Sequence, residues 1–407
     1  SPTVADKSGF RLHCFYFFVT IDSMESNITN HNDNDEVLLH TDSNQLAAEK
    51  LPEFDDHESV SVFEDKTTGL KGFIAIHNTN LGPAAGGTRY WEYSSTEAAL
   101  RDVLNLSRAM TYKCALAGVS YGGGKGVIIA HSRYQKTEDL LKAYTREVNR
   151  LNGQFYTGED VGIDEDDVRI LSQYSNFIIG RPGIGGDPSP WAALGVFYAM
   201  QAGLNFVFGS PNVEQHTFAI KGLGKVGREL CRLLYESGGK IIVADINPEV
   251  VQLVHESFPG VQIADPSEIH RQKVQVYSPC ALGGEFTDQT ISELQCKIIC
   301  GGANNQLASR RMGDLLHEKE IVYIPDYIAN AGGLINVVSE LDQEGYSREK
   351  VVDKVKQIRI TTKAILEAAQ KDRIPVSRVA DEFAQEIFSK KKIFSEIMRE
   401  RNHLCKA

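Results

Sequence analysis

The sequence predicts an α/β protein of two main domains, the second of Rossmann type. Three observations carry this. The chain has 407 residues, more than a single hydrophobic core usually serves. Residues 217–247, TFAIKGLGKVGRELCRLLYESGGKIIVADIN, run strand, glycine turn, helix, strand, which is a βαβ unit. Ahead of it, residues 181–190, RPGIGGDPSP, are too rich in glycine and proline for a regular element and read as the link between domains.

The elements follow in order. Residues 1–45 show no sustained periodicity and are expected to be a disordered acidic extension. Met24 lies inside it, so the residues before Met24 read as a tag or an upstream extension. LHCFYFFVTI at 12–21 lacks the basic flank and cleavage site of a signal peptide. SVFEDKTTGLKGFIAIHN at 61–78 alternates apolar and polar residues about a Thr-Thr-Gly turn, a β-hairpin. Residues 95–110 form an amphipathic helix capped at Ser94 or Ser95. Lys125 stands at the mouth of an apolar strand, GVIIA. Helices are expected at 137–151, 164–174 and 191–208. Beyond the βαβ unit, VQVYSP, KIICGGANN and IVYIPDYIAN continue the strand rhythm, and long helices at 351–369 and 376–399 end the chain. The expected divisions are an extension 1–45, a first domain 46–187, a Rossmann domain 188–345 and C-terminal helices 346–407.

Composition narrows the function. A net charge of −11 argues against nucleic-acid binding, which needs a basic face. Residues 25–60 alone hold ten acids and one lysine, a run that reads as a solvated tail. No apolar run reaches the ~18 residues that span a bilayer. The seven cysteines are irregularly spaced, which predicts buried thiols in a reducing, cytoplasmic compartment. Cys296 and Cys300 sit four apart, but nothing nearby completes a zinc set, so no metal is expected.

The glycine motif has the context it needs. Gly222 makes the tight turn, Gly224 lets backbone approach a pyrophosphate at the helix N-terminus, and Gly227 lets helix and strand pack closely. Asp245 ends the second strand, 18 residues past Gly227, where a carboxylate bonds both ribose hydroxyls and repels a 2′-phosphate. That favours NAD over NADP. Lys221 and Lys225 precede or begin the helix and are poor 2′-phosphate ligands.

A second constellation lies upstream in KCALAGVSYGGGKGV, residues 113–127. Gly-Gly-Gly-Lys could be only a flexible turn with a solvated lysine. Against that, Lys113 and Lys125 flank an apolar stretch, LGPAAGGTR at 81–89 adds a glycine loop with Arg89, and Gly158-Glu159-Asp160 puts an acid at a strand end. An α-amino acid needs a cation for its carboxylate and a base near its amine. Lys113 can supply the first through a charge-assisted bond, worth ~1.5–3 kcal/mol. Lys125, beside a second cation and partly desolvated, is expected to have a lowered pKa and to act as a base near neutral pH.

In order along the chain, LGPAAGGTRYW, SRAMTYKCALAG, GGGKGVIIA, TGEDVG, GLGKVG, PCALGG, GGANNQL and PDYIANAGGLINV resemble the leucine/phenylalanine/valine branch of the amino-acid dehydrogenases, a superfamily that includes glutamate dehydrogenase. The resemblance runs from about Leu51 to Lys390. It implies a substrate domain, a cleft, a Rossmann domain, C-terminal helices that return to the first domain, and a homo-oligomer. It implies Lys113 as ligand of the substrate carboxylate, Lys125 as catalytic lysine and Asp160 as partner of the substrate amine. Gly86, Gly87 and Asn305 would contact substrate. Arg89, Asn304, Ala303 and Ala281 would lie on the cofactor side, with Leu223, Lys225 and Val226 of the glycine loop and Ile246 after Asp245. Ala192 in PSPWAALGV departs from the pattern, which carries a threonine that bonds the nicotinamide carboxamide.

The implied reaction interconverts an L-amino acid and NAD with a 2-oxo acid, ammonium and NADH, with no nucleic acid or membrane as partner. By motif position the side-chain pocket is walled by Ala85, Gly158, Leu334 and Val337, none charged. Ala85 and Gly158 are smaller than in leucine-type members and Leu334 matches phenylalanine-type ones, so the expectation leans to phenylalanine or tryptophan. The alternatives are a leucine/valine dehydrogenase and a non-catalytic NAD-binding regulator.

Overall fold

The computed structural model describes residues 48–130 and 136–389. The expected disordered extension and the end of the last helix lie outside the described residues.

Strands β1 (Ser59–Asp65) and β2 (Leu70–Asn78) form the expected hairpin, with Ser59 opposite Ile76 and Asp65 opposite Leu70. The Asp65 carboxylate accepts the Thr67 N–H at 2.9 Å, which closes the turn. With β3 (Ala84–Ala85), β4 (Thr88–Trp91), β5 (Gly122–Ile129) and β6 (Phe155–Tyr156) they build a mixed sheet in the order β1-β2-β5-β3-β6, β4 also pairing with β5. Helix α1 (Thr96–Leu116) covers one face and meets Phe73, Ala75 and Val127. Helices α2 (Glu138–Arg150) and α3 (Glu165–Tyr174) cover the other and meet Ile74, Ile76 and Ile128. Both faces are buried, so the runs FIAI in β2 and VII in β5 are unbroken apolar stretches.

The helix starts fall where the sequence placed them, each on a side-chain cap. Ser95 accepts from Ala98 N–H, Thr137 from Leu140 N–H, and Asp164 forms a capping box with Asp167. Helix α1 runs past Met110 to Leu116, because Ala115 and Leu116 continue into a second core. That extension puts Lys113 on its last turn.

The second sheet is wholly parallel. It contains β7 (Thr217–Lys221), β8 (Lys240–Ala244), β9 (Gln262–Ile263), β10 (Val276–Pro279), β11 (Ile298–Ile299) and β12 (Val322–Tyr323), in the order β12-β11-β10-β7-β8-β9. The direction of winding reverses between β7 and β10, which opens the crevice where such sheets bind nucleotides. Its helices are α4 (Ser189–Phe208), α5 (Lys225–Glu236), α6 (Pro248–Ser257), α7 (Asp288–Glu293), α8 (Arg310–Glu318), α9 (Asp326–Ala329), α10 (Gly332–Val338) and α11 (Arg348–Asp372). Helix α4 is long and apolar enough to cross a membrane by composition, but α5, α9, α10 and α11 pack around it as a core helix.

Three expectations need correction. The C-terminal helices do not all return to the first sheet: α11 packs along α4 on the second, and only the helix at 376–389 reaches back. There Gln385 Nε2 donates to Tyr112 Oη at 2.9 Å and the Phe388 ring lies 5.5 Å from that of Tyr112. The link is irregular as read but ends at Pro188, because the following helix begins at Ser189, and the Glu340 carboxylate pins it by accepting from Arg181 N–H at 3.0 Å and Gly185 N–H at 2.9 Å. The acidic run is docked where it is described, since Arg101 binds Glu53 and Arg108 binds Asp55.

Candidate active site

A cleft of about 1060 Å³ opens between the two sheets. Strand β5 forms its floor on the first-sheet side. Its glycines are not a flexible turn. They sit in strand, and a Cβ on Gly124 would meet Phe155 at 2.8 Å and one on Gly126 would meet Tyr144 Oη at 2.2 Å. Lys125 is therefore mid-strand, opposite Ala75, rather than at the strand mouth, and only 4% exposed.

Lys125 Nζ donates to Asp160 Oδ1 at 2.6 Å, and Arg89 Nε donates to Asp160 Oδ2 at 3.1 Å. Burial pushes the Asp160 carboxyl up, but Lys125 and Arg89 outweigh it and hold the group at about 2. A carboxylate so paired stays ionised throughout the working range. Arg89 also donates to Asp102 Oδ2 at 2.9 Å, so Asp102, absent from the motif reading, orients it from α1. Arg89 thus serves the Asp160 network as well as any cofactor. Gly87 allows this packing, because a Cβ there would lie 2.3 Å from the Glu159 carbonyl; one on Gly86 would lie 1.9 Å from that of Gly124.

Lys113 reaches the same cleft from α1. Its amine keeps some contact with cleft solvent yet lies deep, and desolvation pushes its pKa down against the pull of Asp326. Nζ faces Asn304 Oδ1 at 3.5 Å. Asn330 Nδ2 donates to the same oxygen at 2.8 Å, a contact made possible only by the fold. Asn305 follows at φ +53°. Lys113, Lys125, Asp160, Asn304 and Asn305 all line the cleft, as the sequence expected.

The nucleotide side has room for its expected ligand. Gly222 adopts φ +97°, and a Cβ on it would meet Ala281 N at 2.6 Å. A Cβ on Gly227 would lie 1.9 Å from the Gly222 carbonyl, whereas one on Gly224 would meet open space. The motif is thus tight on its protein side and free on the side a pyrophosphate would approach. Leu223 is buried beneath the turn and its N–H donates to Asp245 Oδ2 at 2.6 Å. Asn247 N–H donates to Oδ1 at 2.8 Å. Asp245 therefore braces the turn as well as presenting charge. Ile246 is 91% exposed beside it. Ala303 is buried and Val226 lines the cleft. Lys225 pairs with Glu159 at 3.4 Å and Asp187 at 3.3 Å, which ties the glycine loop to the first sheet. Ala192 lines the cleft without a hydroxyl to offer.

The side-chain pocket differs from expectation at one wall. Ala85 is fully buried in the layer behind, packed with Ile179 and Leu334, and does not line the cleft. Gly158 lines the cleft as expected, and a Cβ on it would lie 2.3 Å from the Ile179 carbonyl, so its small size also serves packing. Leu334 and Val337 line the cleft as expected, joined by Met110, Ile179 and Gly180. Met110 and Ile179 lie in unremarkable apolar runs, and only the chain path brings them here. Among the described residues no group of acids, histidines or cysteines could hold a metal.

Sequence profiles match this chain in two long segments. Residues 57–177 match the Glu/Leu/Phe/Val dehydrogenase dimerisation domain, and residues 247–391 match Glutamate/Leucine/Phenylalanine/Valine dehydrogenase. The chain is 45% identical to leucine dehydrogenase of Geobacillus stearothermophilus over 87% of its length and 97% of that protein's. It is 42% identical to phenylalanine dehydrogenase of Caldalkalibacillus thermarum over 83% of its length and 92% of the relative's. The crystal structure of L-tryptophan dehydrogenase from Nostoc punctiforme superposes with a TM-score of 0.72 at 42% identity, covering 83% of this chain and 97% of that one.

Proposed function

The chain belongs to the Glu/Leu/Phe/Val dehydrogenase family, and from that premise we propose that it oxidatively deaminates a hydrophobic L-amino acid, with phenylalanine or tryptophan preferred. It is an amino-acid dehydrogenase and uses NAD. The observation that carries the substrate class is the convergence of two lysines and a doubly paired carboxylate beside an uncharged wall of Met110, Ile179, Leu334 and Val337. A glutamate side chain would have no partner on that wall.

Bound NAD would accept the hydride from the substrate α-carbon, held by the glycine turn, Asp245 and the Asn304–Asn305 segment. The protein's own groups do the rest. Lys113 receives the α-carboxylate. Asp160, fixed as an anion by Lys125 and Arg89, faces the amine. Lys125, as the neutral amine, takes a proton from water as it attacks the oxidised carbon, and the resulting cation steadies the oxyanion. The low-dielectric floor around Lys125 strengthens that interaction.

Gly180 favours an aromatic ring, because it leaves the wall opposite Val337 without a side chain. The branched walls Ile179 and Val337, with the identity to leucine dehydrogenase, favour the aliphatic reading. The unpaired state of Cys114, Cys231, Cys280, Cys296 and Cys300 supports a reducing, cytoplasmic setting. The dimerisation-domain match supports a homo-oligomer. We would follow NADH absorbance with each of the common amino acids and either NAD or NADP. Turnover of phenylalanine or tryptophan above leucine and valine supports the reading. Preference for leucine replaces it with the aliphatic one, and no NADH from any amino acid refutes catalysis.

A further inference from the structure

Asp326 lies on the cleft wall, 8% exposed, and the reaction above leaves it idle. Its contacts are specific. Oδ2 accepts the Asn305 backbone N–H at 3.0 Å and Oδ1 accepts the Tyr323 O–H at 3.1 Å. Asn305 occupies the left-handed region at φ +53°, which asparagine enters more readily than most L residues, and its surroundings hold it there. A charge-assisted bond from its N–H does so. The same turn carries Asn304, whose Oδ1 lies 3.5 Å from Lys113 Nζ.

Charge joins the two ends of this arrangement. Lys113 is faced by Asp326, Lys125, Asp160 and Cys114. Asp326 is faced by Lys113, Tyr323 and Tyr327. Burial pushes the Lys113 amine down and the Asp326 carboxyl up, and each opposes the other's loss of charge.

We propose that Asp326 is a positioning residue that keeps Lys113 charged and holds the Asn304–Asn305 turn, making a single receptor for the carboxylate end of the substrate. This rests on Lys113 being the carboxylate ligand. It also separates two kinds of damage. Loss of the turn alone would weaken carboxylate binding at every pH. Loss of the negative charge would weaken it only where Lys113 can no longer keep its proton. In acid, where Lys113 stays charged regardless, removing an anion beside the site should leave binding equal or stronger.

The test is calorimetric binding of 3-phenylpropanoate and 4-methylpentanoate, the desamino analogues of phenylalanine and leucine, to the full chain saturated with NADH, as a function of pH. In Asp326→Asn the alkaline loss of affinity should begin about one pH unit lower than in the wild type, and the two curves should cross in acid. Coincident alkaline limbs, or a loss by the same factor at all pH values, would overturn the proposal. A wild type that binds neither probe would overturn the carboxylate site itself, and the proposal with it. Should Asp326→Asn not fold, carboxyl NMR of wild-type protein labelled at aspartate decides. The Asp326 resonance must take a step at the pH where probe affinity falls, and its silence there would refute the coupling.

Discussion

Lys125→Ala should abolish turnover while NAD and a carboxylate probe still bind, since the proton-carrying amine is lost but neither binding surface is. Retention of more than about a tenth of kcat, roughly 1.4 kcal/mol of barrier, would sink its role. Lys113→Ala should instead raise KM for the amino acid first, by on the order of tenfold or more for a charge-assisted bond worth ~1.5–3 kcal/mol. An unchanged KM would remove Lys113 from the carboxylate site. Gly158→Ala tests the packing behind the pocket. Its methyl would press on the Ile179 carbonyl, so it should lower thermal stability by ~1–3 kcal/mol and leave the ratio of aromatic to aliphatic kcat/KM little changed. A large change in that ratio would show that the small size of Gly158 sets pocket width instead. The polar residues of this site were legible because their chemistry is unusual at their spacing: paired lysines, an acid at a strand end, twin asparagines. The packing behind the pocket walls was not. Whether Gly158 is also pressed by backbone depends on where residue 179 passes, and nothing in TGEDVG records that.

At the scale of the element, the βαβ turn offers a clean separation of roles. Gly224→Ala adds its methyl to open space, so the fold should keep its melting temperature within a few degrees while NAD affinity falls at least about tenfold, as the methyl occupies the pyrophosphate's approach. Gly227→Ala puts its methyl on the Gly222 carbonyl and should destabilise the domain by ~1–3 kcal/mol before any cofactor is added. Thermal melts and NADH fluorescence titrations distinguish the two. Equal losses of stability would refute the division. The strand–turn–helix order and the helix caps at Ser95, Thr137 and Asp164 were legible because local chemistry dictates them. The start of β5 was read too late in the chain, with Lys125 at its mouth, because its four glycines answer to Asn78, Thr111, Phe155 and Tyr144, partners outside the strand. What pins the link at 181–188 was not legible for the same reason: Glu340 lies 159 residues from Arg181.

At the scale of the molecule, the Rossmann unit followed from the rhythm of motifs and the cleft from the resemblance they carry, whereas the strand order and the path of the C-terminal helices did not. The helix at 376–389 meets the first sheet over a buried histidine pair. His57 and His77 lie with ring centroids 4.8 Å apart; His77 Nδ1 is 2.8 Å from Thr111 Oγ1, and the Phe388 ring lies 6.4 Å away. Burial, with the neighbouring His57, pushes His77 down to about 4. The unfolded chain takes up that proton near pH 6.5. The stability that depends on a neutral His77 is therefore complete above about 6.5 and is lost as pH falls from there toward 4. Melting temperature should decline over that window, and His77→Gln should flatten the decline; a wild-type curve flat between those values would refute the reading. The closing contact of Gln385 with Tyr112 spans 273 residues of chain. On a ribosome adding ~5–20 residues per second, α1 is exposed on the order of tens of seconds before its last covering helix has been made. For that interval Tyr112 and the apolar surface about it are bare, and the newborn protein depends on whatever keeps neighbouring nascent chains apart.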